Sequence, residues 1–284
     1  MNFREALKQG IGRLRAAGVA SPVLAAELLL MHVAGASRAW LYVHIDDPLD
    51  PAAAERYFDL VGQRAAGAPT QYLTGHQEFW GLDFEVTPDV LIPRPETEHI
   101  VEVALERIGQ QRSREALLVA DVGTGSGCLA VALARELPQA RVFATDISLA
   151  ALAVARRNAE RHGVAGRLLF VASDILSSFR PRSFDLVVSN PPYVGRREAT
   201  SLAREIREHE PGKALFAGEE GIEVYPLLVA QAMDCLCPAG VLVVELGYGV
   251  SERVMTLLDS ADWRDIGVTS DLAGIPRVLA ARRV

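Results

Sequence analysis

The sequence predicts an α/β protein in which a small all-helical domain and a β-hairpin linker precede a domain built on a seven-stranded open sheet. Three patterns along the 284 residues predict this fold. Apolar residues recur at helical spacing before residue 75, a short apolar–polar alternation follows around Gly81, and apolar runs alternate with helical segments from Leu117 onward. The last pattern is typical of a mostly parallel sheet with helices on both faces. We expect the helical domain at 1–75, the linker at 76–95 and the sheet domain at 96–284.

The first domain is predicted from helical periodicity. A first helix that Gly18 ends would carry on one face the apolar residues Phe3, Leu7, Ile11 and Leu14. Ser21 followed by Pro22 has the arrangement of an N-cap and a first helical position, which predicts the start of a second helix. More helix is expected from about Pro51 to Ala66.

The linker and the sheet domain are predicted from alternation and turn residues. A hairpin of two short strands turning at Gly81 is predicted by Phe79, Leu82, Phe84 and Val86. Pro93 and Pro95 exclude regular structure across 91–98, before a helix that runs to about Gln110. Seven strands are then expected at about 117–122, 141–146, 167–172, 184–189, 240–246, 265–269 and 276–282.

Composition excludes several classes of function. The net charge of -7 and the pI near 5.5 argue against a broad grip on a nucleic-acid backbone, and residues 1–80 hold seven Arg plus Lys against eight Asp plus Glu. Three cysteines make no disulfide framework, and the six histidines lack metal-ligand spacing, so we expect no metal. The apolar runs are too short to span a bilayer. We therefore expect a cytoplasmic protein with no membrane contact and no direct nucleic-acid binding.

A glycine-rich loop follows the first strand of the predicted sheet. It reads Gly123, Thr124, Gly125, Ser126 and Gly127. Ligands of open α/β sheets bind beyond the carboxyl ends of the strands, and glycines there let a ligand approach the backbone closely. A dinucleotide fold has Gly-x-Gly-x-x-Gly, so the spacing of the third glycine here argues against NAD.

Three carboxylates close successive strands of this sheet. Asp121 comes two residues before Gly123, where it would lie near the ammonium and sulfonium end of a cofactor. Asp146 would accept hydrogen bonds from both ribose hydroxyls, and Asp174 from an adenine amino group. A single such Asp is often only a loop or N-cap residue. Together the three predict S-adenosylmethionine better than a nucleotide phosphate.

The turn after the fourth strand is rich in rigid acceptors. It reads Asn190, Pro191, Pro192 and Tyr193, and the two prolines remove two N–H donors and fix φ. The Asn190 Oδ1 and the Pro191 carbonyl would each accept one N–H of a planar amide or amine, which directs the nitrogen lone pair at a sulfonium methyl group. Tyr193 would either stack on a planar substrate or pack in the core.

With these motifs the sequence resembles the release factor glutamine N5-methyltransferases, the HemK/PrmC family. The resemblance covers nearly the whole chain and rests on Gln71-Tyr-Leu-Thr-Gly75, Phe79-Trp80, Ile92-Pro-Arg-Pro-Glu-Thr-Glu98, the segment from Asp121 to Gly127, and Asn190 to Tyr193. It implies a Rossmann-like class I methyltransferase domain, with S-adenosylmethionine as the cofactor. The implied substrate is the glutamine of the Gly-Gly-Gln loop of peptide chain release factors. We expect the helical domain to recognise this substrate and the enzyme to be a monomer.

The resemblance also implies which residues form the site. The catalytic residues would be Asn190, Pro191, Pro192 and Tyr193, and the cofactor contacts Asp121, Gly123, Thr124, Gly125, Ser126, Gly127, Asp146, Ile147, Asp174, Ile175 and Asn190. Ile175 departs from the family pattern, which often has a bulky aromatic residue there, and would pack on adenine with less stacking. Glu210 of Glu-Pro-x-x-Ala-Leu215 would brace a loop or contact substrate.

Alternatives remain at this point. Arg94 and Glu96 would face the substrate or form a salt-bridged turn, and the second option is favoured. The same acceptor turn suits an adenine-N6 methyltransferase acting on a flipped base, although such an enzyme needs a nucleic-acid surface. A third class is a non-catalytic module that binds the cofactor, against which Asn190 and its two prolines argue.

Overall fold

The computed structural model describes residues 1–109 and 116–284, which form two compact units. The first unit contains Met1–His76 and Ala203–His209. The second contains the described residues of Gln77–Leu202 together with Glu210–Val284. None of the helices in the described ranges is long and apolar enough to cross a membrane.

The first unit is all helical. Its helices are α1 (Phe3–Ala16), α2 (Pro22–Ala34), α3 (Arg38–Val43), α4 (Pro51–Ala65), α5 (Thr70–Thr74) and α9 (Arg204–His209). The core between α1, α2 and α4 contains Leu14, Leu29, Leu30, Tyr57 and Val61, all fully buried. Gly10 is required at the helix contact, because a Cβ there would lie 1.9 Å from the Tyr57 hydroxyl oxygen.

The starts of the first two helices differ in their capping. The side chain of Asn2 accepts a hydrogen bond from the Glu5 backbone N–H, and Glu5 reaches back to the Asn2 backbone N–H, which forms a capping box. α2 begins at Pro22 as predicted, but the expected cap at Ser21 is wrong. Ser21 has φ +49°, in the left-handed region, and makes no side-chain cap hydrogen bond, because an N-cap needs extended backbone.

The helix α9 belongs to the first unit although it follows the 126 residues from Gln77 to Leu202 of the second, a placement that no local pattern predicts. Arg64 of α4 is buried and pairs with Glu205 of α9. The same guanidinium donates to the Ala68 carbonyl at 3.1 Å. The Arg64 side chain therefore connects α4 to α9 and to the segment that follows α4.

The second unit begins within the predicted hairpin, β1 (His76–Phe79) and β2 (Leu82–Glu85), of which only His76 belongs to the first unit. Trp80 and Gly81 at its turn have φ +55° and +69°, the pair of positive angles of a two-residue turn that matches strand twist. The prediction for 91–98 is wrong at one point: Pro95–Thr97 forms a single 3-10 turn, since proline fits the first position of a helix.

The sheet of the second unit confirms the seven predicted strands. They are β3 (Leu117–Val122), β4 (Ala140–Asp146), β5 (Leu168–Ala172), β6 (Phe184–Ser189), β7 (Leu236–Glu245), β8 (Trp263–Ser270) and β9 (Pro276–Arg283). The order across the sheet is β5-β4-β3-β6-β7-β9-β8, and β9 pairs antiparallel with both of its neighbours. The positions agree with the sequence to within two residues, except that β7 begins at 236 rather than 240.

Helices cover both faces of this sheet. They are α6 (Glu98–Gly109), α7 (Cys128–Glu136), α8 (Leu149–Arg161), α10 (Gly212–Leu215), α11 (Val224–Cys235) and α12 (Ser251–Met255), with further 3-10 turns at Ala165–Arg167 and Arg196–Ser201. The predicted end of α6 near Gln110 falls outside the described residues. One core lies under α6 and α7, around Ile100 and Leu133, and the other under α11, around Tyr225 and Leu228. Both hold the strand ends in fixed register.

Candidate active site

The candidate site lies where the strand order of the sheet reverses. From β3 the chain moves outward through β4 to β5, and then returns to β6 on the other side of β3. Val122 and Ser189, the last residues of β3 and β6, are register partners, and the Ser189 hydroxyl donates to the Val122 carbonyl at 2.8 Å. The glycine loop and the Asn190 turn therefore leave adjacent strand ends. A cavity of about 570 Å³ opens between them.

The backbone of the glycine loop takes a shape that suits glycine. Gly123, Gly125 and Gly127 have φ +70°, +53° and +82°. The loop is closed by the Gly127 N–H, which donates to the Thr124 carbonyl at 2.7 Å. A Cβ on Gly127 would lie 3.0 Å from the Ala155 Cβ of α8, so this glycine also permits close helix packing. The loop can therefore present its backbone to a ligand while α8 supports it from behind.

Asp121 lies beneath the loop and does not line the cavity, which revises its predicted position near the cofactor. Its Oδ2 accepts hydrogen bonds from the Thr124 hydroxyl at 2.6 Å and the Ala130 N–H at 3.0 Å. Burial raises the pKa of Asp121 to about 7, although these two hydrogen bonds act in the opposite direction. The carboxylate braces the loop against the start of α7.

The two carboxylates at the next strand ends do line the cavity. Asp146 accepts from the Gly125 N–H at 3.0 Å and the Ser148 N–H at 2.8 Å, which joins the glycine loop to the end of β4. Burial raises the pKa of Asp146, against these hydrogen bonds. Asp174 is exposed at the cavity rim. A bound ribose and amine would meet acceptors at both positions.

Two isoleucines follow these carboxylates in the cavity wall. Ile147 is 57% exposed. Ile175 has φ +53°, which is strained for a β-branched residue, and such strain is concentrated at functional sites. Both side chains line the cavity, so it has an aliphatic surface beside the carboxylates on which a planar ring can pack.

Asn190 enters the cavity wall with a fixed side chain. Its Nδ2 donates to the Thr97 hydroxyl at 2.9 Å. Its Oδ1 is buried and has no hydrogen-bond partner among the described residues. A buried carbonyl oxygen left without a donor is costly, so such an atom points to a ligand that donates to it. Pro191 and Pro192 line the cavity beside it.

Tyr193 lies behind this turn rather than in the cavity wall. Its ring packs on Gly247, where a Cβ would come within 3.1 Å of the Tyr193 Cβ. Its hydroxyl donates to Glu245 Oε1 at 3.2 Å, and Thr97 donates to Glu245 Oε2 at 2.7 Å. Burial raises the pKa of Glu245 to about 7, against the hydrogen bonds from Thr97 and Tyr193.

The structure brings most of the predicted residues into one cavity. Those that line it are Gly123, Thr124, Gly125, Ser126, Asp146, Ile147, Asp174, Ile175, Asn190, Pro191 and Pro192. Those that do not line it are Asp121, Gly127 and Tyr193. The last three residues lie behind the cavity wall. They support the residues that would contact a ligand and would not contact it themselves.

Sequence reasoning missed three residues that hold this wall. Thr97 and Glu245 fix Asn190, and Asn158 of α8 fixes the glycine loop. The buried Asn158 amide donates to the Ser126 carbonyl at 2.8 Å and to the Glu85 carbonyl at 2.9 Å. One signal was present: Glu245 ends an apolar strand as Asp146 does, and Asp121 lies one residue before the end of another.

The favoured interpretation of Arg94 and Glu96, a salt-bridged turn, holds only in part, because Arg94 forms its salt bridge with a residue outside the turn. Its partner is Glu210 and the distance between Nη2 and Oε1 is 2.5 Å. The Glu210 side chain is 2% exposed and also accepts from the Ile92 N–H at 3.4 Å. Glu210 thus braces the 91–98 segment against the chain that leads into α10.

The charges around the cavity decide which cofactor it suits. Among the described residues that line it, Lys213 is basic and four are acidic, namely Asp89, Asp146, Asp174 and Glu223. This wall would repel a polyphosphate and suits a ligand that carries a sulfonium and an ammonium group. Together with the sheet order and the acceptor turn, it defines an S-adenosylmethionine-dependent methyltransferase.

Comparison with known proteins agrees with this class and narrows it. Residues 5–75 match the PrmC N-terminal domain and residues 102–218 match the methyltransferase small domain. The release factor glutamine methyltransferase of Koribacter versatilis (strain Ellin345) is 43% identical over 100% of this chain and 99% of its own length. That of Burkholderia pseudomallei (strain K96243) is 45% identical over 93% of each chain. The chain belongs to the release factor glutamine methyltransferase family.

Solved structures share the fold. A methyltransferase from Pyrococcus furiosus superposes with a TM-score of 0.50 at 21% identity, over 72% of this chain and 90% of its own. The hMettl16 catalytic domain, solved in complex with the MAT2A 3'UTR hairpin 6, gives a TM-score of 0.57 at 17% identity, over 78% and 81%. At these identities the likeness shows the architecture of the fold alone.

Proposed function

We propose that this enzyme methylates the side-chain amide nitrogen of the glutamine in the Gly-Gly-Gln loop of peptide chain release factors. The observation that carries the proposal is the Asn190 Oδ1, a buried acceptor without a partner among the described residues, which lies in the cavity that the glycine loop also lines. A primary amide has two N–H donors to offer to such an acceptor wall. The names of the full-length relatives support the same substrate.

The cofactor half of the cavity is proposed to be the segment from Gly123 to Ser126 with the carboxylates and isoleucines that follow the next two strands. Asp146 would accept from the ribose hydroxyls and Asp174 from the adenine amino group, while Ile147 and Ile175 would pack on the ring. S-adenosylmethionine supplies a methyl carbon bonded to a positively charged sulfur. Asp121 and Gly127 support these contacts from behind.

The acceptor half orients the substrate nitrogen. An amide lone pair is delocalised into the carbonyl group, so the nitrogen must become pyramidal before it attacks carbon. Asn190 Oδ1 would accept one N–H and the Pro191 carbonyl the other, which turns the lone pair away from both oxygens. The same oxygens would stabilise the positive charge that develops on nitrogen as its bond to the methyl carbon forms and the carbon–sulfur bond breaks. The methylated nitrogen would then release one of its two protons to solvent. Pro191 and Pro192 restrict the backbone, so little reorganisation is needed during the reaction.

The proposal extends to the rest of the chain. The helical domain at 1–75 would bind the release factor, the linker would span 76–95 and the methyltransferase domain 96–284. The enzyme would act as a monomer in the cytoplasm, without direct nucleic-acid binding. Sedimentation analysis at assay concentrations, with and without duplex DNA, tests whether the enzyme is a monomer and whether it binds nucleic acid.

Transfer of labelled methyl groups tests the substrate. The enzyme is incubated with labelled S-adenosylmethionine and, in parallel, with a release factor, a release factor whose Gly-Gly-Gln glutamine is changed to alanine, and DNA or RNA. We expect label on the unmodified release factor alone. Label on nucleic acid alone would establish the adenine-methyltransferase alternative, and label on none would leave a cofactor-binding module.

A further inference from the structure

Glu245 is a buried carboxylate next to the acceptor turn. It ends β7, is 1% exposed, and accepts one hydrogen bond on each oxygen, from Thr97 and Tyr193. The strand end itself is fixed separately, because Tyr225 donates to the Glu245 main-chain carbonyl at 3.0 Å. The carboxylate is therefore not needed to hold the backbone, and its burial calls for another role.

The role follows from counting hydrogens along the chain of contacts. A threonine hydroxyl has one hydrogen, and an ionised carboxylate can only accept. Thr97 donates that hydrogen to Glu245 at 2.7 Å, so its oxygen must accept from Asn190, whose Nδ2 lies 2.9 Å away. The Asn190 Oδ1 then faces away from Thr97. The direction of each hydrogen bond is set by the charge at the end of the chain.

Packing cannot make this choice. The oxygen and nitrogen of an asparagine amide have nearly the same size, so the two orientations fill the same space. They differ only in which neighbours they satisfy. With Asn190 reversed, its NH₂ group would face the methyl acceptor, and two sets of N–H donors would oppose each other.

We propose that Glu245 is a positioning residue which, through Thr97, fixes the Asn190 amide with Oδ1 toward the methyl acceptor. The proposal deepens the proposed function, on which it rests, because Asn190 matters here as an acceptor for substrate N–H groups. Glu245 itself touches neither substrate nor cofactor. Its charge determines which end of Asn190 does.

The hydrogen-bond relay from Glu245 through Thr97 to Asn190 requires an ionised Glu245 carboxylate, and it is therefore sensitive to pH. A protonated Glu245 can donate to Thr97, and the threonine hydrogen is then free to turn toward Asn190. The titratable and charged groups that act on Glu245 or are affected by its charge are Tyr193, Tyr225, Arg277, Glu96 and Cys128. Since burial raises the pKa of Glu245 to about 7, turnover should fall as the pH drops through that value.

The first test compares three variants of the full chain at pH 8. Glu245→Gln removes the charge and replaces one of the two acceptor oxygens by an NH₂ donor. Thr97→Val removes the hydroxyl, and Thr97→Ser keeps it in a side chain that differs by one methyl group. We expect the first two to lower kcat about 10- to 100-fold, which is less than the roughly 10²–10³ lost when a preorganised group at the reacting atom is removed outright, because Asn190 itself remains. The KM for the methyl acceptor and the Kd for S-adenosylhomocysteine should change less than about threefold. Thr97→Ser should retain most of the turnover.

The pH profile separates positioning from a general loss of structure. In the wild type kcat should rise from pH 6 to pH 8, and in Glu245→Gln that rise should disappear, because glutamine does not titrate there. A variant damaged only in folding would lose activity evenly and keep the profile. Retention of both the wild-type kcat and its profile by Glu245→Gln would overturn the proposal.

A second measurement does not depend on turnover. The side-chain amide ¹⁵N resonance of Asn190, identified by its disappearance in Asn190→Ala, should move in Glu245→Gln and Thr97→Val but stay near its wild-type position in Thr97→Ser. If the Asn190 resonance keeps its wild-type position in all three variants, the relay is refuted. If the wild type modifies no release factor, the proposed function fails, and these spectra still decide whether Glu245 orients Asn190.

Discussion

Replacing Asn190 with alanine tests the acceptor turn most directly. Of the two polar ends of this side chain, Nδ2 already donates to Thr97 and Oδ1 is without a partner in the described part of the chain. The substitution therefore removes one acceptor from the reacting nitrogen. Loss of one preorganised group at a developing charge costs about 3–4 kcal/mol in the transition state, which is a factor of about 10²–10³ in kcat.

The assay is steady-state methyl transfer with saturating cofactor and release factor, which gives kcat, together with calorimetric titration of S-adenosylhomocysteine. We expect its Kd to change less than about threefold, since the cofactor contacts lie mainly on the glycine loop and the strand-end carboxylates. Asn2→Ala is a matched control, because Asn2 caps α1 and is one of the three asparagines in the chain. It should cost about 1 kcal/mol of stability and leave kcat unchanged. A kcat for Asn190→Ala within about threefold of wild type would refute the acceptor role.

Three further predictions concern the supports of the site. Asp146→Asn should weaken S-adenosylhomocysteine binding about 10- to 100-fold by calorimetry, as expected for one charge-assisted hydrogen bond; an unchanged Kd would contradict this. Glu210→Gln should lower the free energy of unfolding in urea by about 2–3 kcal/mol, because Arg94 loses its buried partner, and wild-type stability would exclude that brace. The pKa values of Asp121 and Glu245 are raised to about 7 in the folded state, whereas in the unfolded chain both groups lose their protons near pH 4. Between these values the folded state binds more protons than the unfolded chain, so the free energy of unfolding should fall as the pH rises toward 7. That decline should be shallower in Glu245→Gln, by about 1.4 kcal/mol per pH unit between pH 5 and 7, and parallel curves would argue against it.

The strands and the turn of the hairpin could be predicted because their signals are local. Apolar runs of strand length between helical segments give the seven strands, and Gly81 at the centre of an alternating pattern gives the turn. Ser21 failed as a cap because the short connection between two helices forces it into a left-handed conformation. Local composition reports which residue types favour a cap but not the angle at which a packed helix must begin.

The residues that hold the site could not be predicted in the same way, because their contacts cross the sequence. Thr97 meets Asn190 over 93 positions and Glu245 over 148. Asp121 has the sequence position of a cofactor contact, yet its side chain turns under the loop, where its Oδ2 accepts from the Thr124 hydroxyl and the Ala130 N–H. Which donors surround a buried carboxylate depends on packing between distant elements, and periodicity carries no information about that.

The acceptor turn also limits where substrate selection can take place. Asn190 Oδ1 and the Pro191 carbonyl are matched to a nitrogen with two hydrogens, a description that fits both a primary amide and the exocyclic amine of adenine. The turn therefore selects a kind of nitrogen, and it does not distinguish a protein from a nucleic acid. A nucleic-acid substrate brings a dense row of phosphates, which a chain of net charge -7 repels, whereas a protein loop brings none. We therefore propose that the net charge contributes to the preference for a glutamine side chain, and that the orientation of Asn190 sets the efficiency of methyl transfer.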